Sequence, residues 1–291
     1  MKRRPLYITI LTLILLAGLS GCNLPQAGGT PGPTPVDTLE PTQAVPAPTE
    51  LPAEPSAAPT QEPEPAGQAI EYAGVRFRLV PEVASGANME TVPAEPQTDE
   101  GPYWEAAPEY THFTLTGYRL SDTFHQPAIL IYPVQQFKDI NPESAAPIDT
   151  LAQILADRSL PAEHLPFLPI FNAAQMLVVQ AQFLDFGSGS GVRYLTQYSQ
   201  AVMPISSRSL FYTYQGITAD GQYYVAAVLP ISHPSLPADD TPPGGDWSAF
   251  EENFLGYLDD TIAGLNAQPD DSFTPTLSQL DAMMASLEIQ R

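Results

Sequence analysis

Cysteine occurs once in the 291 residues, at position 22. A chain with one thiol closes no disulfide within itself, so its folded part must be held by its own apolar core. Basic residues are also scarce: 11 Lys and Arg stand against 33 Asp and Glu, and Lys2 and Lys138 are the only lysines. A surface so acidic repels phosphate backbones and anionic headgroups, which argues against nucleic acid and against electrostatic membrane contact. The four histidines, His112, His125, His164 and His233, lie far apart, with no H-x-x-x-H or H-E-x-x-H spacing, so no metal site is read from them. The acid pairs Asp239-Asp240, Asp259-Asp260 and Asp270-Asp271 lack the D-x-[DN]-x-[DN]-G spacing of a calcium loop and read as solvated turns.

The start of the chain is different in kind. Met1-Lys2-Arg3-Arg4 is basic, and Leu6 to Leu19 follows without a charge, which is the layout of a secretory signal peptide. At about 14 residues the apolar run is short for a membrane span, which needs about 20. It ends in Leu19-Ser20-Gly21-Cys22, which resembles the lipobox of bacterial lipoproteins. The resemblance implies cleavage after Gly21, a thioether-linked diacylglycerol on Cys22, and attachment to a cell membrane or outer membrane on the extracytoplasmic face. It also implies that Asn23, standing where Asp would retain the protein at a Gram-negative inner membrane, gives no such signal. An uncleaved anchor helix and a disulfide to another chain are the competing accounts of Cys22. The small residues before it argue against the first, and the apolar run against the second.

Residues 1–21 thus read as the leader and 22–68 as an anchored tether. Twelve of the 33 prolines fall between Pro25 and Gly67, among Thr, Ala, Glu and Gln. Such a segment has too little apolar surface to fold and is expected to be disordered and extended. At about 3.1 Å per residue its reach is on the order of 130 Å. A proline-rich ligand for a partner domain is the alternative, disfavoured because no basic residue flanks the prolines. With Lys2, Arg3 and Arg4 removed, eight basic residues remain against 33 acidic ones.

Residues 69–291 carry aromatic and β-branched residues throughout, enough for one globular domain. "VRFRLV" (75–80) reads as its first strand, and "HFTLTGYRL" and "PAILIYPV" as two more, the last nearly all apolar and therefore central. The stretch 84–110 reads as a long surface loop. A helix is predicted over 148–158, with Ile148, Leu151 and Leu155 on one face. "MLVVQAQFLDF" alternates as a strand with one buried face. "GSGSG" (187–191) reads as a flexible hairpin turn and "ADG" (219–221) as another. Asp246 is placed as the cap of a helix carrying Trp247, Phe250, Phe254, Leu258, Ile262 and Leu265, and Thr274 with Pro275 as the start of a last helix. The order gives an α+β fold: an antiparallel sheet of about six to seven strands with helices packed on it.

The opening "GVRFRLVP" strand, the hairpin-rich sheet and the closing "LSQLDAMMASLEI" helix resemble the PsbP-like α-β-α sandwich group. The resemblance covers the two ends of the domain and implies an accessory or binding role. It departs where that group commonly has a Trp after the first proline; Pro81 is followed here by Glu82-Val83-Ala84.

No catalytic residue or cofactor is read. "GSGSG" has Gly189 where a hydrolase elbow has its serine, and a strand rather than a helix follows it, which excludes a dinucleotide loop. A hydrolase would need a buried acid in a cleft, for example Asp185 near Arg193. Tyrosines are the distinctive content. Tyr194 and Tyr198 share one face of a strand, and if Tyr212 and Tyr214 join it, an aromatic platform forms with Gln200 and Gln215 nearby. Two readings stand for these tyrosines: half-buried cross-strand packing, or a ligand surface. The resulting expectation is a non-enzymatic, membrane-displayed module that binds or scaffolds an envelope protein or glycan, or alternatively a small-ligand or glycan binder using the tyrosine face.

Overall fold

The computed structural model describes residues 67–99, 101–161 and 163–290. Cys22, the leader and the proline-rich segment as far as residue 66 lie outside the described residues. The strands are β1 (Gln68–Tyr72), β2 (Val75–Leu79), β3 (Gly86–Val92), β4 (Tyr110–Thr116), β5 (Ala128–Pro133), β6 (Ala174–Gln175), β7 (Val179–Phe186), β8 (Gly189–Thr196), β9 (Tyr198–Ser199), β10 (Phe211–Thr218), β11 (Tyr223–Pro230) and β12 (Glu288–Ile289). The α-helices are α1 (Val134–Ile140), α2 (Ala145–Asp157), α3 (Trp247–Glu252), α4 (Phe254–Asn266) and α5 (Leu277–Ala285). Seven strands form one sheet in the order β3-β4-β5-β11-β10-β8-β7, and every pairing in it is antiparallel. A second sheet is β1-β2-β12, which ties the start of the domain to its last strand. The fold is α+β, as the sequence predicts.

Both faces of the large sheet are filled. On one, Phe113, Ile129, Ile131, Leu195, Tyr212, Tyr214 and Val225 pack with Val75, Phe77 and Leu79 of β2 and with Leu277, Leu280 and Met284 of α5. On the other, Leu130, Tyr132, Val192, Tyr194 and Tyr224 meet Phe137 of α1 and Ile148, Leu151 and Ile154 of α2. A strand covered on both sides cannot alternate apolar with polar, which is why "AILIYP" and "YYVAAVLP" read as nearly continuous apolar runs.

Several local expectations are corrected. Within the 84–110 stretch, β3 is an edge strand paired with β4; its residues are mostly exposed, so no buried alternation marked it. The predicted single face of 177–184 breaks at a bulge between Val179 and Gln182. Beyond it Phe183 faces the α2 side, while Leu184 and Phe186 face α5. Asp246 caps α3 through Ala249 N (3.2 Å), but a break at Asn253 separates α3 from α4. The last helix is capped by Thr276, not Thr274. Thr276 and Gln279 form a capping box, while the Thr274 backbone is engaged with Ser232.

"GSGSG" is only partly a turn. Gly187-Ser188 makes the bend, and Gly189, Ser190 and Gly191 are already strand residues paired with β10 and β7. The glycines are there because Tyr214 lies over them. A Cβ on Gly191 would sit 2.4 Å from Tyr214 Cζ and 2.7 Å from the Gln215 carbonyl. The Tyr214 ring cannot swing aside, since it is fully buried and its hydroxyl donates to Leu184 O at 2.9 Å. Gly191→Ala is therefore expected to cost about 1–3 kcal/mol by urea unfolding, against under about 0.5 kcal/mol for Ser190→Ala next to it. Equal effects at the two positions would contradict the close approach.

Candidate functional site

The tyrosine platform does not form. The β8–β10 register sets Tyr212 opposite Leu195, Thr213 opposite Tyr194, and Tyr214 opposite Arg193. Tyr194 therefore points toward α2 while Tyr212 and Tyr214 point toward α5, and all three are fully buried. Burial pushes each phenol well above its ordinary range. Tyr198, in β9, is half-buried in a separate cluster with Phe167, Phe171 and Phe211, and burial pushes its phenol up as well. Gln215 is buried beside Tyr194 rather than beside Tyr212. Its carbonyl accepts from Tyr224 Oη (2.6 Å) and Leu168 N (2.9 Å), and its amide donates to Leu168 O (3.1 Å) and Thr213 Oγ1 (2.8 Å). Gln200 lies elsewhere, donating to Asn172 O at 2.7 Å.

Asp185 and Arg193 are not partners either. Asp185 pairs on the surface with Arg158 at 3.3 Å. Arg193 is 1% exposed and turns into the α5 side, where the bulge in β7 receives it: Nη1 donates to Gln180 O. Its charge is met by Asp281 of α5, 3.4 Å from Nε, and by Asp270, 3.7 Å from Nη2. Asp281 also accepts from Tyr212 Oη (2.9 Å) and from Gln182 Nε2 (2.9 Å). Burial raises the Asp281 carboxyl above its ordinary value; the Arg193 charge and the Tyr212 hydrogen bond oppose that rise. Gln180, with φ of 55°, secures the C-terminal end of α4: its backbone N–H donates to Asn266 Oδ1, and its Nε2 donates to Leu265 O and Gln268 O. The sequence held one signal for this cluster, a lone arginine on a strand otherwise flanked by core residues. The arrangement clamps α4 and α5 to the sheet edge.

One of several concavities opens where the β4–β5 connection, the segment before β10 and the segment after β11 meet. It is a groove of about 460 Å³, lined by Ser121, Asp122, Thr123, Ser207, Arg208 and Ser232 together with Leu120, His233 and Leu236. Asp240 fixes one wall: Oδ1 accepts from Ser206 Oγ (2.5 Å) and Ser209 Oγ (3.0 Å), and Oδ2 lies 3.3 Å from Arg208 Nη1. His233 is buried against Phe273, and its ring Nδ1 is within 2.7 Å of Ser235 Oγ. Desolvation lowers its pKa. Beside the groove, the Phe124 amide donates to Arg208 O at 2.8 Å while the residue stays 65% exposed.

Among the described residues, no three His, Cys, Asp or Glu side chains converge as a metal site, and no helix is long and apolar enough to cross a membrane. No family model matches this chain, and neither a curated protein nor a solved structure matches it.

Proposed function

We propose that this chain is a lipid-anchored, extracytoplasmic binding module that does no chemistry of its own and engages a partner in the cell envelope. The observation that carries the reading is the sequence Leu19-Ser20-Gly21-Cys22 closing a leader with a basic start and an uncharged apolar run, followed by about 43 residues of proline-rich spacer. Each buried methylene contributes about 0.8 kcal/mol, so two or more acyl chains on Cys22 hold a protein durably to a bilayer. A long tether then raises the local concentration of the domain near envelope partners. The folded part fits a binding role in one respect: with both faces of the sheet filled, a groove with polar groups on its rim lies in the connections at one end. The Arg193–Asp281 cluster supports the non-enzymatic reading, because its groups are engaged in joining helices to the sheet.

The test is detergent phase partition of the protein expressed in a bacterium that processes lipoproteins. The native chain is expected in the detergent phase, with mass spectrometry showing Cys22 as an acylated N-terminus. Cys22→Ser is expected to move to the aqueous phase or to keep its leader. Identical partition of the two proteins, with an unmodified thiol, would remove the anchor and the reading built on it.

A further inference from the structure

We infer that the groove bounded by Ser121–Thr123, Ser207–Arg208 and Ser232 is a binding site for a neutral hexose unit of a glycan. The inference rests on the domain being a binding module but not on its lipid anchor.

Size comes first. About 460 Å³ falls within the range of small-molecule clefts, and the groove is open on one side, as a site must be to admit one residue of a longer chain. The lining chemistry then narrows the ligand. Ser121, Thr123, Ser207 and Ser232 give their own protons to Asp122 Oδ2, His125 O, His233 O and Thr274 O, so toward the groove their oxygens are acceptors for sugar hydroxyls. Asp122 adds a carboxylate acceptor and Arg208 a fork of donors, the pair of groups that bracket vicinal hydroxyls. Leu120 and Leu236 supply the apolar surface on which a pyranose lays its C–H face.

Charge selects a neutral ligand. A chain with 33 acidic residues repels polyanions, and Arg208 is already partly neutralised by Asp240. Asp122, on the lip, opposes a carboxylate or phosphate directly.

Preorganisation is the second, independent observation. Two serines that are buried, Ser206 and Ser209, both donate to Asp240 Oδ1, leaving Oδ2 to hold a guanidinium that is half exposed in the groove. A surface arginine fixed in this way loses little further freedom on binding.

The experiment uses residues 22–291 with Cys22→Ser, so that no acyl chain is attached. Methyl β-D-glucopyranoside, methyl α-D-mannopyranoside and N-acetylglucosamine are offered in turn at millimolar concentration. Binding is read by saturation-transfer NMR and by titration of backbone amide shifts. The expected result is saturable binding of at least one probe, with shifts confined to residues 120–124, 207–208 and 232–236. Arg208→Ala and Ser121→Trp, the second filling the mouth from an exposed position, are each expected to weaken binding at least tenfold while leaving the thermal midpoint within a few degrees. Arg208→Lys, which keeps charge but loses the fork, is expected to be intermediate. Absence of saturable binding to all three probes overturns the inference. So does binding that Ser121→Trp leaves intact. Because a soluble chain is used, neither result bears on whether Cys22 is acylated.

Discussion

Arg193→Ala lowers the unfolding free energy at pH 7 by about 3–5 kcal/mol, the cost of leaving a buried charge without its partner. The size follows from what remains. Asp281, whose side chain is 14% exposed, sits between α5 and the sheet with Arg193 as its nearest cation. Tyr212 and Gln182 still donate to its two oxygens, but neither brings a compensating charge. The buried carboxylate then escapes by binding a proton, so its already raised pKa rises further. The sign is definite. A carboxyl whose folded pKa exceeds the unfolded 3.8 binds more protons in the folded state across that interval, so stability falls as pH rises through it. In Arg193→Ala the interval extends higher, and the variant is expected to recover part of its loss at pH 4.5 relative to the native chain. Pairing Arg193→Met with Asp281→Asn removes both charges and is expected to cost less than Arg193→Ala alone. The coupling in such a cycle should exceed about 1 kcal/mol. Urea unfolding at the two pH values measures all of this. A loss under about 1 kcal/mol at pH 7, or one that does not change with pH, would show that Asp281 does not depend on Arg193.

The sheet was legible in the sequence, and the site was not. "AILIYP" and "YYVAAVLP" announce central strands because burial on both faces leaves no polar residue for alternation to reveal. The same double burial kept the sequence from deciding between packing and a ligand surface for the tyrosines, and the structure places Tyr194, Tyr212 and Tyr214 in packing. Alternation along β8 sorts Tyr194 from Arg193, but whether Tyr212 lies with one or the other depends on the β8–β10 register, which the intervening residues 197–210 set. One residue of register moves a tyrosine to the opposite side of the sheet. The bulge at Gln180 was hidden for a related reason: Leu177 to Leu184 alternates without interruption as a string, and only the docking of the α4 end on Gln180 breaks it. Asp281 lies 88 positions from Arg193, so no local pattern joins them. The groove comes from three connections far apart in the chain, and each reads alone as an ordinary polar loop. Edge strand β3 escaped because pairing on one side needs no apolar face.

Acid should weaken the domain through one histidine. His125 lies stacked on Phe171 (centroids 5.3 Å apart, planes 7° from parallel), with Phe211 and Phe124 edge-on at 4.6 and 4.9 Å. Those ring faces would attract an imidazolium, yet the loss of water outweighs them and pushes the pKa from 6.5 down to about 4. Between these values the unfolded chain takes up a proton that the folded chain refuses, so stability falls as pH drops from 6.5 and levels off below about 4. At about 1.4 kcal/mol per pH unit, the full effect is about 3.5 kcal/mol. His125→Phe keeps an aromatic ring against Phe171 and removes the proton. Between pH 7 and 4.5 the native chain is therefore expected to lose about 2 kcal/mol more than this variant, the other titrating groups being common to both. NMR titration of the imidazole gives the independent reading, with a midpoint near 4 expected and one above 6 fatal to the account. The consequence reaches the groove. Thr123 Oγ1 donates to His125 O at 2.9 Å, and the intervening Phe124 amide donates to Arg208 O. Charging His125, which occurs in the folded chain only near pH 4, is expected to draw it toward water and to disturb the wall formed by Ser121–Thr123. Sugar binding by the native chain should therefore hold from pH 6.5 down to about 5 and weaken only as pH falls through about 4, more than binding by His125→Phe does.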